Sequence, residues 1–259
     1  MKRTTIFLSR ARHIVPAGSL IAAWADRGAS LTEEPMGAAM SAGKRGAPPT
    51  KPVSDDEVRA LLDHYRCPVP FHAVRTRFLG NIASLVTSAS PMDAVADLWG
   101  GDLPALDGPE AARELSRVLV MGLWNQLTRH QERNAPFRLI RIEVPATREG
   151  LARIALIRRE EVVGFIQGMF GKEESLALPE RAHRALESLS EAGGLFIGVY
   201  EVARDPTKPA SADVVVQTRR HIRDLTKVCE REIHKAVLSC TRARRQMMSS
   251  MPTTKPTLH

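Results

Sequence analysis

Apolar positions recur at helical spacing over most of the chain, and the points where that pattern starts and stops predict a mainly helical protein. The grammar is plainest in residues 90–131. Ser90 can accept hydrogen bonds from first-turn N–H groups, Pro91 loses nothing at the first helical position, and Asp93 faces the positive helix end. Gly100-Gly101 supplies a chain reversal, and Asp107-Gly108-Pro109-Glu110 opens a second helix. From Val118 to Trp124 that helix is apolar on nearly every side, so protein is expected all round it. Trp99 and Trp124 read as packing residues.

The same reasoning extends in both directions. Ser54-Asp55-Asp56-Glu57 is a capping box ahead of the stripe Val58, Leu61, Leu62 and Tyr65, which Cys67-Pro68-Val69-Pro70 stops. A helix over about 73–86 puts Val74, Phe78 and Ile82 on one face, with Arg75 and Arg77 outward. FRLIRIEV, residues 137–144, has the β-branched character of a short strand, yet no partner strand follows; an extended connector packed on helices is the alternative. Thr147 caps a helix to about Phe170, whose Arg158-Arg159-Glu160-Glu161 run reads as a solvated face. Pro179-Glu180 starts another helix, to about Ala203, in which Gly193-Gly194 implies a close helix crossing. After the linker Asp205-Pro206-Thr207-Lys208-Pro209 comes a last helix over about 212–248. Its apolar or small residues Val215, Ile222, Cys229 and Ala236 fall at steps of seven, and such a seam would join copies of the chain in a homo-oligomer. The predicted class is all-α, a helical bundle with at most one short extended or β segment near 137–144. The predicted organisation is a disordered basic extension at 1–53, a core domain at 54–204, a linker and long basic helix at 205–248, and a disordered tail at 249–259.

Charge changes this picture at the ends. The net charge of +8 is divided unevenly. Residues 1–53 carry 8 Lys/Arg against 3 Asp/Glu, residues 54–208 carry 19 against 22, and residues 209–259 carry 10 against 4. A nearly neutral body with basic ends fits either solubilising tails or an anionic partner, nucleic acid or acidic protein. The candidate contacts are Arg219, Arg220, Arg223, Lys227, Arg231, Lys235, Arg242, Arg244 and Arg245 on the last helix. The first residues can also be read as a secretory leader ending near Ala23-Trp24-Ala25, but Pro16 and Gly18 weaken its apolar piece and favour an unstructured extension. Three widely spaced cysteines make no disulfide framework, so a cytoplasmic location is expected. No run approaches the roughly 18 apolar residues of a membrane span.

Chemistry-bearing motifs are sparse. The chain holds no GxxxxGK, GxGxxG, GxSxG, HExxH or paired CxxC. His64, Cys67 and His72 flank the proline turn as three potential zinc ligands without a fourth. An active site would have to be assembled from His130, Glu132 and His183, while Glu160 and Glu161, neighbours on a helix, point about 100° apart. No cofactor is expected.

LWGGDLP at 98–104, LWNQL at 123–127 and EEVVGFIQGMFG at 160–171 occur in the order in which the YgfB/YecA family of small bacterial helical proteins carries similar segments. Residues 78–203 resemble that family. Val162 stands where an aromatic or cysteine is usual, and a basic helix replaces the cysteine-rich zinc tail of many members. The resemblance implies an all-α, non-catalytic bacterial cytoplasmic protein with a regulatory role, and transfers no active-site residue. The expected function is therefore a helical interaction or regulatory protein that meets an anionic partner through its last helix. The alternatives are an enzyme with an unrecognised site in the helical core and membrane-surface attachment, the latter disfavoured by a last helix without Trp or Phe.

Overall fold

Helix starts follow the capping residues closely. The structure, a computed structural model, describes residues 53–86, 90–208 and 210–250, together with the backbone of 3–7. Helix α1 (Asp55–His64) begins where the Ser54 hydroxyl accepts from the Glu57 N–H, but Glu57 does not return the bond; its carboxylate pairs with Arg117 instead. α2 (Phe71–Ala83) follows the proline turn. α3 (Pro91–Ala96) carries a complete capping box between Ser90 and Asp93, and Gly100, left-handed at φ 91°, closes the short turn after it. α4 (Pro109–Leu115) starts from Gly108 and continues as a π-helical stretch, Ser116–Trp124, then Asn125–Thr128 and a last tight turn, Arg129–Gln131. α5 (Arg148–Phe170), α6 (Glu180–Arg204) and α7 (Ala212–Ser250) complete the described helices. The architecture is mainly all-α, and no described helix is long and apolar enough to cross a membrane.

The close helix crossing lies between α2 and α5, away from Gly193-Gly194. Gly80, Gly164 and Gly168 bring the two backbones together: a Cβ on Gly168 would overlap the Arg77 carbonyl, and one on Gly164 would sit 2.8 Å from the Ala73 oxygen. Gly194 faces open space, and Gly193 only touches Val162. Around this crossing Phe78, Phe137, Phe165, Phe170 and Phe196 form the centre of one continuous core.

Residues 137–144 are extended but belong to no sheet. Helical side chains take the place of the missing partner strand. Ile140 donates its N–H to Glu161 at 2.9 Å, while the Arg158 guanidinium donates to the Ile140 carbonyl at 2.7 Å and pairs with Glu161. Glu230 accepts from the Leu139 N–H at 3.1 Å and pairs with Arg138. Arg158 and Glu161, read from sequence as solvated, are thus interior groups at 5% and 0% exposure, because an extended backbone crosses their helix and needs partners. The strands present lie elsewhere. β1 (Arg3–Phe7) pairs antiparallel with β2 (Ser175–Pro179), Arg3 opposite Pro179 and Phe7 opposite Ser175. Five residues of the extension expected to be disordered are therefore a strand; its residues 8–52, and 251–259 of the expected tail, lie outside the described residues, while 249–250 belong to α7.

Two further expectations change on packing. Met121 is 61% exposed, so the apolar run at 118–124 is covered on only part of its circumference. Arg75 is partly buried, its guanidinium 5.2 Å from the Phe137 ring centre and 5.9 Å from that of Phe71.

Candidate anion-binding site

α7 has two chemically distinct sides. Val215, Ile222, Cys229 and Ala236, the positions at steps of seven, are buried with Ile233, Val237 and Cys240 in the same core as α1–α6. The expected division of a 54–204 core domain from a helix at 205–248 gives way to a shared core, and the seam expected to join copies is filled from within the chain. The turn before α7 is tied down too: Asp205 accepts from the Thr207 N–H at 2.9 Å, and Arg148 donates to the Asp205 carbonyl.

The nine cations proposed from sequence separate into three groups. Lys227 pairs with Asp224 at 2.9 Å and holds that carboxyl below its usual range, and Lys235 and Arg231 pair with Glu232 at 2.7 and 3.3 Å. Arg244 is turned inward, a correction to its expected outward role. It donates to the Ile82 and Ser84 carbonyls at 2.8 and 3.3 Å and to Gln131 at 2.7 Å, satisfying acceptors at the end of α2 that the helix itself leaves open. Arg219, Arg220, Arg223, Arg242 and Arg245 form no ion pair among the described residues.

These five arginines lie in two zones about 35 Å apart along the helix, at a rise of ~1.5 Å per residue. Arg219, Arg220 and Arg223 lie near its start. Arg242 and Arg245, near its end, join Arg133 and Arg181 from other elements around a cavity of about 840 Å³. Sequence reasoning missed Arg133 and Arg181 because they sit well upstream of α7; the only local signal was the Pro179-Glu180 helix start.

The candidate catalytic groups are not gathered here. His130 is buried, its Nδ1 2.8 Å from the Ala135 carbonyl and its ring edge-on to Phe137; burial lowers its pKa from the usual histidine value. His183 lies 3.4 Å from Glu187 on its own helix, and neither histidine lines the cavity that Glu132 borders. Glu160 pairs with His72 at 2.7 Å, so His72 is taken from the imagined zinc trio, and burial pushes the Cys67 thiol up. Among the described residues no group of three or more His, Cys, Asp or Glu is arranged to hold a metal. Comparisons with protein-family models, curated proteins and solved structures returned no match to this chain.

Proposed function

We propose that the chain is a non-catalytic helical interaction protein whose helix α7 binds the phosphate backbone of a nucleic acid. The observation that carries this reading is the arginine zone at 219–223. Its three guanidinium groups have no carboxylate partner among the described residues; Arg220 and Arg223 are exposed, and Arg219 is half-buried at the edge of the side that faces the core. Guanidinium donors match phosphate oxygens, and several together displace condensed counterions without reading bases. His130 and His183 each contact a neighbour on their own segment, and neither is brought to Glu132, which is the arrangement expected of a role without chemistry. Three free cysteines, two of them with thiols that burial pushes up to about 12, suit a reducing cytoplasm. The resemblance to YgfB/YecA proteins points to the same compartment.

A second reading, an acidic protein surface, is favoured by exposed Val214 and Val216 next to the arginines. Fluorescence anisotropy with a labelled 20-nucleotide RNA, against poly-glutamate as competitor, separates the two. The nucleic-acid reading expects RNA binding that the variant Arg219→Gln/Arg220→Gln/Arg223→Gln weakens roughly tenfold or more. RNA binding unchanged in that variant, or displaced by stoichiometric poly-glutamate, would overturn it.

A further inference from the structure

Beside the cationic cavity at the end of α7 lies a second one of about 790 Å³. The two share Arg181 and, from α7, Ser239, Arg242, Gln246 and Ser250, which fall at steps of three and four and so form one face of that helix. Arg133 and Arg245 line the first cavity, Arg181 and Arg242 border both, and Leu85, Ala177, Pro179, Ala243 and Met247 line the second. The carboxylates at the rim are Glu132 and Glu180, and Glu180 is held by Arg184. Four guanidinium groups around one opening repel one another unless an anion lies between them.

Two further features call for an acceptor. Thr241 lines the cationic half at 3% exposure, and its hydroxyl has no partner. A helical threonine ordinarily returns its hydroxyl to the preceding turn, whereas this one, enclosed in the cavity wall, is a donor left without a partner. α6 begins at the second cavity from Pro179, which offers no side-chain cap, so the positive end of a 25-residue helix lies beside it.

We propose that this double cavity is a binding site for a phosphomonoester with an apolar body. The phosphate dianion lies among Arg133, Arg181, Arg242, Arg245 and Thr241, and the body lies against Leu85, Ala243 and Met247. The site stands apart from the nucleic-acid reading, because Arg219, Arg220 and Arg223 are about 35 Å away along the helix.

Isothermal titration calorimetry on the full chain tests it, with inorganic phosphate, adenosine 5′-monophosphate and dihexanoyl phosphatidic acid as probes. At least one monoester should bind saturably and at least tenfold tighter than inorganic phosphate, and the tighter of the two identifies the body as nucleoside or acyl chain. Arg181→Gln should lower that affinity tenfold or more. Thr241→Val, nearly isosteric, should lower it at least threefold with an unchanged melting temperature. Arg219→Gln/Arg220→Gln/Arg223→Gln should leave it unchanged. Absence of saturable binding by either monoester at millimolar concentration, inorganic phosphate binding as tightly as both, or an affinity indifferent to Arg181→Gln and Thr241→Val would overturn the proposal.

Discussion

His130 sits 7% exposed against Phe137, with Nδ1 facing a carbonyl oxygen that can only accept, so Nδ1 carries the proton of the neutral ring. Burial lowers its pKa in the folded chain below the usual value of 6.5. The unfolded chain therefore takes up this proton first as pH falls, and the stability contributed by the neutral ring is full above the unfolded value and lost as pH drops through the folded one. The melting temperature should fall more between pH 7.5 and 5.5 for the natural chain than for His130→Gln; equal falls would remove His130 as the cause. Arg158 and Glu161 make a second prediction at this scale. Burial pushes the Glu161 carboxyl up against the opposing pull of Arg158 and the Ile140 N–H. Removing one partner strands the other in the core, so Arg158→Met should cost about 3–5 kcal/mol in denaturant unfolding. Adding Glu161→Gln should make the combined loss smaller than the sum of the separate ones; simple additivity would mean the two groups are not coupled. This buried pair was illegible in the sequence. Arg-Arg-Glu-Glu in a helix looks solvated by composition, and only the crossing of residues 139–140, some 20 positions upstream in the chain, gives the charges their partners.

Helices were largely readable, because their ends are written locally. Ser54, Ser90 and Thr147 accept first-turn N–H groups, and Gly171 and the proline turns stop what they begin. Which helices meet is not written locally. Glycine pairs occur in both α5 and α6, and only packing decides that Gly164 and Gly168 lie under α2 while Gly194 faces outward. Opposite effects of one substitution follow. Gly168→Ala must push two backbones apart and should cost about 1–3 kcal/mol, lowering the melting temperature by several degrees. Gly194→Ala meets nothing and should stabilise by roughly 0.5–1 kcal/mol through helix propensity. Thermal unfolding of the two variants decides it, and a destabilised Gly194→Ala or a neutral Gly168→Ala would contradict the crossing. The segment at 137–144 shows the converse limit. Its residues have strand character, but with no neighbouring strand its backbone groups are satisfied by Glu161, Arg158 and Glu230.

Over the whole molecule, the uneven charge visible in the sequence survives folding only in part. Of the nine cations on the last helix, Lys227, Arg231 and Lys235 are paired along the helix with Asp224 and Glu232 and Arg244 clasps the end of α2, leaving two zones of uncommitted arginine. The second zone was not legible, since it depends on Arg133 and Arg181 arriving from other elements. Packing also dictates how function must be tested. Removing everything after Lys208 would strip Val215, Ile222, Cys229 and Ile233 from the core, so loss of binding on truncation would report unfolding. Substitutions at the outer arginines leave the core intact. The decisive measurement is the salt dependence of RNA binding by the full chain and by Arg219→Gln/Arg220→Gln/Arg223→Gln between 50 and 200 mM salt. The account predicts a steep fall in affinity for the natural chain and a logarithmic slope shallower by about two in the variant, roughly 0.7 for each guanidinium that no longer neutralises a phosphate of the single strand. A salt-insensitive affinity, or the same slope in both proteins, would contradict it.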